Sequence, residues 1–352
     1  MRKNTRQVMV GDVAVGGSAP ITVQSMLNRP ASDIPGSVEQ AKQLEKAGCE
    51  ILRAAVPTVQ DVGLIAALKQ AINIPIVADI HFDYRIALEC VAAGVDKIRI
   101  NPGNIGSDDR VKMVADACKQ KNIPIRIGVN SGSVEKSILQ RFGGPTPEAL
   151  VESALYHASL LEKYDFNDIV LSVKSSDVSN TYAAYQYASQ RCDYPLHVGV
   201  TEAGTAHMGM IKSAAGIGGL LLGGIGDTIR VSLTDDPVAE IAAGLDLLYA
   251  IGLRSDRPRL VSCPTCGRTK VDLVSLAQQV EERLADVDLP ITVAVMGCVV
   301  NGPGEAREAD IGLAGGTDEY LLFRSGEVLR KVSADRALDE LMLEIKKMQE
   351  KE

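Results

Sequence analysis

From Ile21 onward the chain alternates short runs rich in Val, Ile, Ala and Leu with longer stretches in which apolar residues recur three and four positions apart. The first pattern predicts buried strands and the second amphipathic helices. Eight strand-like runs stand out: Ile21–Met26, Glu50–Ala55, Ile74–His81, Lys97–Asn101, Ile123–Asn130, Asp168–Lys174, Leu196–Thr201 and Thr228–Leu233. Helical patterns between them include Val59–Ala71, Tyr84–Ala93, Asp109–Lys119, Pro147–Lys163 and Val238–Tyr249. Strand and helix alternate as right-handed βαβ units do, and eight parallel strands close a barrel. The expected fold is therefore α/β, an N-terminal (β/α)8 TIM-type barrel, with an open doubly wound sheet as the alternative. Strand interiors read as almost wholly apolar.

Local punctuation agrees with this reading. Gly48, Gly94 and Gly252 follow helical patterns and suit left-handed C-caps, while Thr146 and Asp108 stand where helices should start. Ahead of the first strand, Val8–Val15 reads as a hairpin turning at Gly11 and Asp12. Around Arg254–Pro258 the chain turns polar and proline-containing, which predicts a boundary between a domain over 1–255 and another over 256–352. In the second, a helix over Asp272–Asp286, strands at Ile291–Met296, Ile311–Leu313, Tyr320–Arg324 and Glu327–Lys331, and a helix from Ala334 predict a compact α+β unit.

A formal net charge of -8 argues against general binding to nucleic acid or to an anionic membrane, since both need a basic face. The greasiest run, Ala214–Ile225, is far short of the roughly 20 residues needed to span a bilayer. A polar start over Met1–Gln7 completes the expectation of a soluble, cytoplasmic protein. With no tryptophan and 4% aromatic residues, base stacking or an aromatic cage is disfavoured as well. Gly216, Gly218 and Gly219 lie in a helix-like stretch and make a poor dinucleotide-binding turn.

Charge is concentrated at the C-terminal ends of the predicted strands. There stand Arg53, Asp79 with His81, Arg99 with Asn101, Arg126 with Asn130, Lys174, His197 with Glu202, and Arg230 with Ser232. In a βα-barrel these positions line one mouth, where catalytic groups gather. Arg53, Arg99, Arg126, Lys174 and Arg230 would converge there in an otherwise acidic protein. Such a cluster repels itself unless an anion fills it, so a phosphate or diphosphate is the natural tenant. Ion pairs with Asp79 and Glu202 are the plainer reading for any single cation.

Seven cysteines without a secretory signal argue against a disulfide framework. Cys49, Cys90, Cys118 and Cys192 each sit alone in helical or strand-edge sequence and read as small buried apolar residues. Cys263 and Cys266, separated by two residues in a turn with Pro264 and Gly267, can point both sulfurs at one metal or cluster, and Cys298 can join them through the fold. From Cys263 onward the chain has no histidine and no other cysteine, so the usual four ligands of a structural zinc site are incomplete. Glu305, seven residues beyond Cys298 across Gly302, Pro303 and Gly304, is a candidate exchangeable oxygen ligand.

The motifs Cys263-Pro264-Thr265-Cys266-Gly267-Arg268-Thr269 and Gly297-Cys298-Val299-Val300-Asn301-Gly302-Pro303-Gly304-Glu305 resemble those of the 4-hydroxy-3-methylbut-2-enyl diphosphate synthase family of the non-mevalonate isoprenoid pathway, in its bacterial two-domain form. The resemblance extends over essentially the whole chain. It implies a [4Fe-4S] cluster held by Cys263, Cys266, Cys298 and Glu305. It implies reductive opening and dehydroxylation of 2-C-methyl-D-erythritol 2,4-cyclodiphosphate, with flavodoxin or ferredoxin as the electron donor. A homodimer that sets one subunit's cluster domain over the other's barrel mouth is also implied. On this reading Arg53, Arg99, Arg126, Lys174 and Arg230, with Asn130 and Ser232, bind phosphate, His197 and Asn301 join the substrate-binding set, and Asp79, His81, Asn101 and Glu202 face the ring carbons. Glu202 and His81 are the candidate proton donors. Two other readings remain: a zinc-stapled, non-catalytic module, and an aldolase-like sugar-phosphate barrel with Lys174 as Schiff base.

Overall fold

The computed structural model describes residues 2–298, 307–317 and 319–350, and the chain divides into two compact units, Met1–Ile251 and Gly252–Glu352. The first opens with a hairpin, β1 (Val8–Val10) and β2 (Val13–Val15), turning at Gly11 as the sequence predicts. Eight parallel strands follow: β3 (Thr22–Met26), β4 (Ile51–Ala55), β5 (Ile76–Asp79), β6 (Lys97–Ile100), β7 (Ile125–Asn130), β8 (Ile169–Lys174), β9 (His197–Val198) and β10 (Thr228–Ile229). They run in the order β8-β7-β6-β5-β4-β3-β10-β9. A parallel bridge from Leu171 to Leu196, with the Leu171 N–H donating to the Pro195 carbonyl at 2.9 Å, brings β8 back to the start of β9 and nearly closes the barrel.

Alternation along each strand explains what faces where. Val23, Leu52, Ile98, Ile127 and Leu171 look outward into one large core shared with the surrounding helices. The hairpin covers the other end of the barrel, where Val10 and Val15 pack on Ile51 and Val77. Cys49, Cys90 and Cys118 are buried and Cys192 is half-buried, as small apolar residues would be. Gly48, Gly94 and Gly252 take positive φ after their helices, as expected of C-caps. At Thr146 the side chain accepts the Ala149 N–H, but the other expected helix start needs a correction: Ser107, not Asp108, is the cap of Asp108–Lys121.

The barrel interior is more polar than expected. Thr22, Gln24, Lys97, His197 and Thr228 are all buried there, below the mouth. Apolar runs reveal which residues form strands, yet the inward positions of a βα-barrel need not be apolar when they approach a charged site.

The second unit is a five-stranded sheet, β11 (Arg259–Ser262), β12 (Thr292–Met296), β13 (Ile311–Gly315), β14 (Glu319–Arg324) and β15 (Glu327–Ser333), in sequence order. The first three strands are parallel and the last two antiparallel. Helix Leu273–Leu284 connects β11 to β12, and it shares one apolar core with the sheet and the final helix Ala337–Gln349. Asp272 caps the first of these by accepting the Ser275 N–H.

Candidate active site

At the C-terminal ends of the barrel strands lies a cavity of about 220 Å³. Arg53, Arg99, Arg126, Lys174 and Arg230 all line it, together with Asn130 and Ser232. Register explains the convergence: Arg53 pairs with Met26, Asp79 with Arg99 and Arg99 with Arg126, so neighbouring strands bring these inward positions to similar heights. Met26, Ser172 and Thr201, which the sequence reading did not single out, complete part of the wall.

Only two carboxylates are seen to touch these cations among the described residues. Asp79 accepts from Arg53 at 2.6 Å and from Arg99 at 3.3 Å, and Glu240, on helix Pro237–Ala250, lies 3.5 Å from Arg230. Glu240 also accepts the Leu233 N–H at 2.9 Å, fixing the segment that carries Ser232. Burial pushes the Asp79 carboxyl up, but Arg53, Arg99 and Arg126 together bring it below its ordinary range. Asp79 is thus a carboxylate that spaces two arginines and does not itself line the cavity.

The remaining positive charge is poorly matched. Arg126 is fully buried, and its Nε and one terminal nitrogen have no hydrogen-bond partner among the described residues. Burial, then Arg126, Arg230, Arg53 and Arg99, drive the Lys174 ammonium well below its ordinary pKa. A site in which buried cations press on one another in this way is built for an anion that offsets their repulsion.

Other expected residues take different places. His197 opens β9 and is fully buried beneath the mouth, away from the cavity lining, because it stands at the start of its strand and not at the C-terminal end. Burial, then Arg126, Lys174 and Lys97, hold its imidazole well below the usual range, so it is a neutral interior residue and not a surface for substrate. Asn101 is buried, and its Oδ1 accepts the Gly128 N–H at 3.1 Å. His81 is exposed, with Nε2 3.7 Å from Asp79, and Glu202 is exposed in a left-handed conformation at φ 53°. That backbone is uncommon for a residue other than glycine and marks a constrained position after β9.

In the second unit topology accounts for the cysteines. β11 and β12 are adjacent and parallel, so the segments after Ser262 and Met296 leave the sheet at the same edge. The Gly297 N–H donates to Cys263 Sγ at 3.2 Å, and the Lys270 N–H donates to the Gly297 carbonyl at 3.0 Å. A Cβ on Gly297 would lie 3.0 Å from Thr269 Cγ2, so glycine lets the two segments pack together. Cys266 is exposed and its thiol is lowered by hydrogen bonds from Arg268, foremost the backbone one, and from Thr269. These are suitable features for thiolate ligands, whose sulfurs commonly accept backbone N–H groups. All three cysteines are free. No set of three metal-ligating side chains is assembled among the described residues, and Asn301 and Glu305 lie outside them.

Comparison with known proteins extends the picture. The GcpE TIM-barrel domain matches residues 5–245 and the GcpE protein C-terminal domain matches residues 259–347. A protein of Clostridium perfringens is 56% identical over 341 residues, covering 97% of this chain and 98% of its own, and one of Caldanaerobacter subterraneus is 55% identical over 352 residues, covering 100% and 99%. Both are called 4-hydroxy-3-methylbut-2-en-1-yl diphosphate synthase (flavodoxin). Among solved structures, the dihydropteroate synthase of Stenotrophomonas maltophilia matches with a TM-score of 0.51 at 13% identity, covering 70% of this chain and 98% of its own. The N-acetylneuraminic acid synthetase of Leptospira borgpetersenii matches with 0.50 at 11%, covering 80% and 98%. These two likenesses concern the fold alone.

Proposed function

Because the chain belongs to the GcpE family of 4-hydroxy-3-methylbut-2-en-1-yl diphosphate synthases, iron–sulfur oxidoreductases of the non-mevalonate isoprenoid pathway, we propose that it converts 2-C-methyl-D-erythritol 2,4-cyclodiphosphate to (E)-4-hydroxy-3-methylbut-2-enyl diphosphate. The observation that carries this reading is the set of five cations around one cavity with only Asp79 and Glu240, among the described residues, seen to touch them. A cyclic diphosphate supplies the missing negative charge.

In this reaction two electrons and two protons enter, the ring carbon–oxygen bond to phosphate breaks, and one hydroxyl leaves as water. Arg53, Arg99, Arg126, Lys174 and Arg230 take the phosphate oxygens, with Asn130 and Ser232 completing the hydrogen bonds. A bound diphosphate offsets the cationic repulsion that lowers Lys174 and so favours its ammonium form. Asp79 and Glu240 hold Arg53, Arg99 and Arg230 in place, and His81 and Glu202 are the proposed sources of the proton for the departing hydroxyl.

The cysteines fit an iron–sulfur group: a [4Fe-4S] cluster on Cys263, Cys266 and Cys298, with Glu305 as the fourth ligand, would supply the two electrons. Flavodoxin is the proposed donor, on the strength of the relatives' names, with ferredoxin as the alternative. A homodimer is part of the proposal.

The test is turnover by anaerobically reconstituted protein given the cyclic diphosphate and a strong reductant. Formation of the allylic diphosphate, with iron and sulfide each at about four per chain, supports the reading. Stoichiometric zinc without sulfide, or a reconstituted protein that leaves the cyclic diphosphate intact, sinks it.

A further inference from the structure

One fully buried histidine touches none of the cavity yet joins the segments that follow two of its strands, β6 and β7. His157 lies on helix Pro147–Glu162 with no exposed surface. Its Nδ1 accepts the Gly103 N–H at 3.0 Å, and its Nε2 lies at ion-pair distance, 2.6 Å, from Glu135 Oε1 without an aligned hydrogen bond. Gly103 sits in the turn Pro102–Asn104 that follows Asn101 at the end of β6. Glu135 ends the segment after β7, where the Ser133 hydroxyl accepts the Asn130 N–H and the Ser133 N–H returns to the Asn130 carbonyl.

The fit leaves no slack. A Cβ on Gly103 would stand 2.7 Å from His157 Cε1, so only glycine lets this turn reach the ring. An imidazole that accepts at Nδ1 and faces a carboxylate at Nε2 must be neutral, with its proton on Nε2. Burial agrees, holding His157 below its ordinary pKa against the upward pull of Glu135.

We infer that His157 is a positioning residue: a two-sided strut that sets the segments after β6 and β7, and through them Asn101, which holds the Gly128 N–H, and the placement of Arg126 and Asn130 at the anion-binding mouth. The inference rests on the anion-binding part of the proposed function. It predicts that the ring's two ends act separately and can be separated by substitution.

The experiment compares His157→Leu, His157→Asn and His157→Gln, measuring amide hydrogen exchange along the chain and the affinity for inorganic pyrophosphate by calorimetry. In His157→Leu both contacts go, so exchange over 102–105 and 130–135 should quicken while β3 and β4 keep their protection, and pyrophosphate affinity should fall about tenfold. In His157→Asn the amide oxygen takes the place of Nδ1, restoring protection over 102–105 only. In His157→Gln the longer amide reaches Glu135, restoring protection over 130–135 only. Separable restoration of this kind is not expected of a histidine that merely fills space. Equal quickening of exchange everywhere, no change at either loop, or Asn and Gln behaving like Leu would overturn the inference. Wild-type protein that does not bind pyrophosphate would count against the proposed function instead, and the strut would stand or fall on the exchange pattern alone.

Discussion

Arg53 on β4 donates to the Asp79 carboxylate on the neighbouring strand β5 across 2.6 Å, and Arg99 on β6 approaches the same carboxylate from the other side. A single buried anion thereby spaces two cations of the mouth. Removing one partner of a buried ionic cluster leaves the others uncompensated and costs roughly 3–5 kcal/mol. Asp79→Asn should therefore lower unfolding stability by about that amount at pH 7.

The sign of its pH dependence follows from the direction of the shift. Asp79 is held below its unfolded pKa near 3.8, so its contribution is complete above that value and is lost as pH falls through the lower folded one. Urea titrations of the wild type and Asp79→Asn should diverge at pH 7 and draw together as pH falls below about 3.8 towards the lower folded pKa. A constant gap across that range would show that Asp79 acts by packing and not by charge.

Arg126 should show the opposite balance between stability and binding. Its guanidinium is fully buried, has donors without partners among the described residues, and is pressed by Arg53 and Arg99. Arg126→Met should raise the melting temperature of the ligand-free protein, by the equivalent of about 1–3 kcal/mol, because it removes an uncompensated charge. It should also abolish most of the stabilisation by the cyclic diphosphate that the wild type shows in the same thermal scan. Loss of stability without ligand, or undiminished stabilisation with it, would place Arg126 outside the anion site.

Lys97 provides a test of the polar interior. Its ammonium is fully buried at the start of β6, without a hydrogen-bond partner among the described residues, and burial, then Arg126 and Arg53, lower it to about 7. Between that value and its unfolded pKa near 10.5 the unfolded chain binds more protons than the folded one, so this residue makes stability rise with pH. The slope approaches about 1.4 kcal/mol per pH unit within the window. Lys97→Met should flatten the denaturant-derived stability curve between pH 7 and 10, and should gain most over the wild type at the neutral end. Parallel curves for the two proteins would mean that Lys97 keeps its ordinary proton affinity.

How much of this was legible beforehand follows from what periodicity encodes. Alternation distinguishes inward from outward positions, which is why Arg53, Arg99, Arg126, Lys174 and Arg230 could be gathered at one cavity from the sequence alone. It does not encode depth, so His197 was expected at the mouth but lies under it, at the first position of a strand that is only two residues long. Glu240 and His157 escaped notice because each sits on a helix and acts across tertiary contacts that no local pattern announces. Strand β11 was missed for a different reason: Arg259–Ser262 buries none of its four residues fully and carries no apolar alternation. Yet this strand, beside β12, is what brings Cys263 to Gly297.

That adjacency yields the last prediction. If the segments after β11 and β12 hold one iron–sulfur group, each of their cysteines must matter to it and the isolated cysteines must not. Cys263→Ser, Cys266→Ser and Cys298→Ser should each lose most of the iron and sulfide that anaerobic reconstitution gives the wild type, with bleaching of the visible absorption. Cys90→Ala and Cys118→Ala, whose thiols burial pushes up to about 12, should keep both, with at most a modest loss of stability from the small cavity. Gly297→Ala belongs with the first group although it removes no ligand. Its added methyl would press on Thr269 at 3.0 Å and force apart the contact in which the Gly297 N–H meets Cys263 Sγ. Iron content per chain in these six proteins is the measurement. Full iron in Cys266→Ser would remove the turn from the cluster site, whereas full iron in Gly297→Ala would show that the two segments need no such close packing to share it.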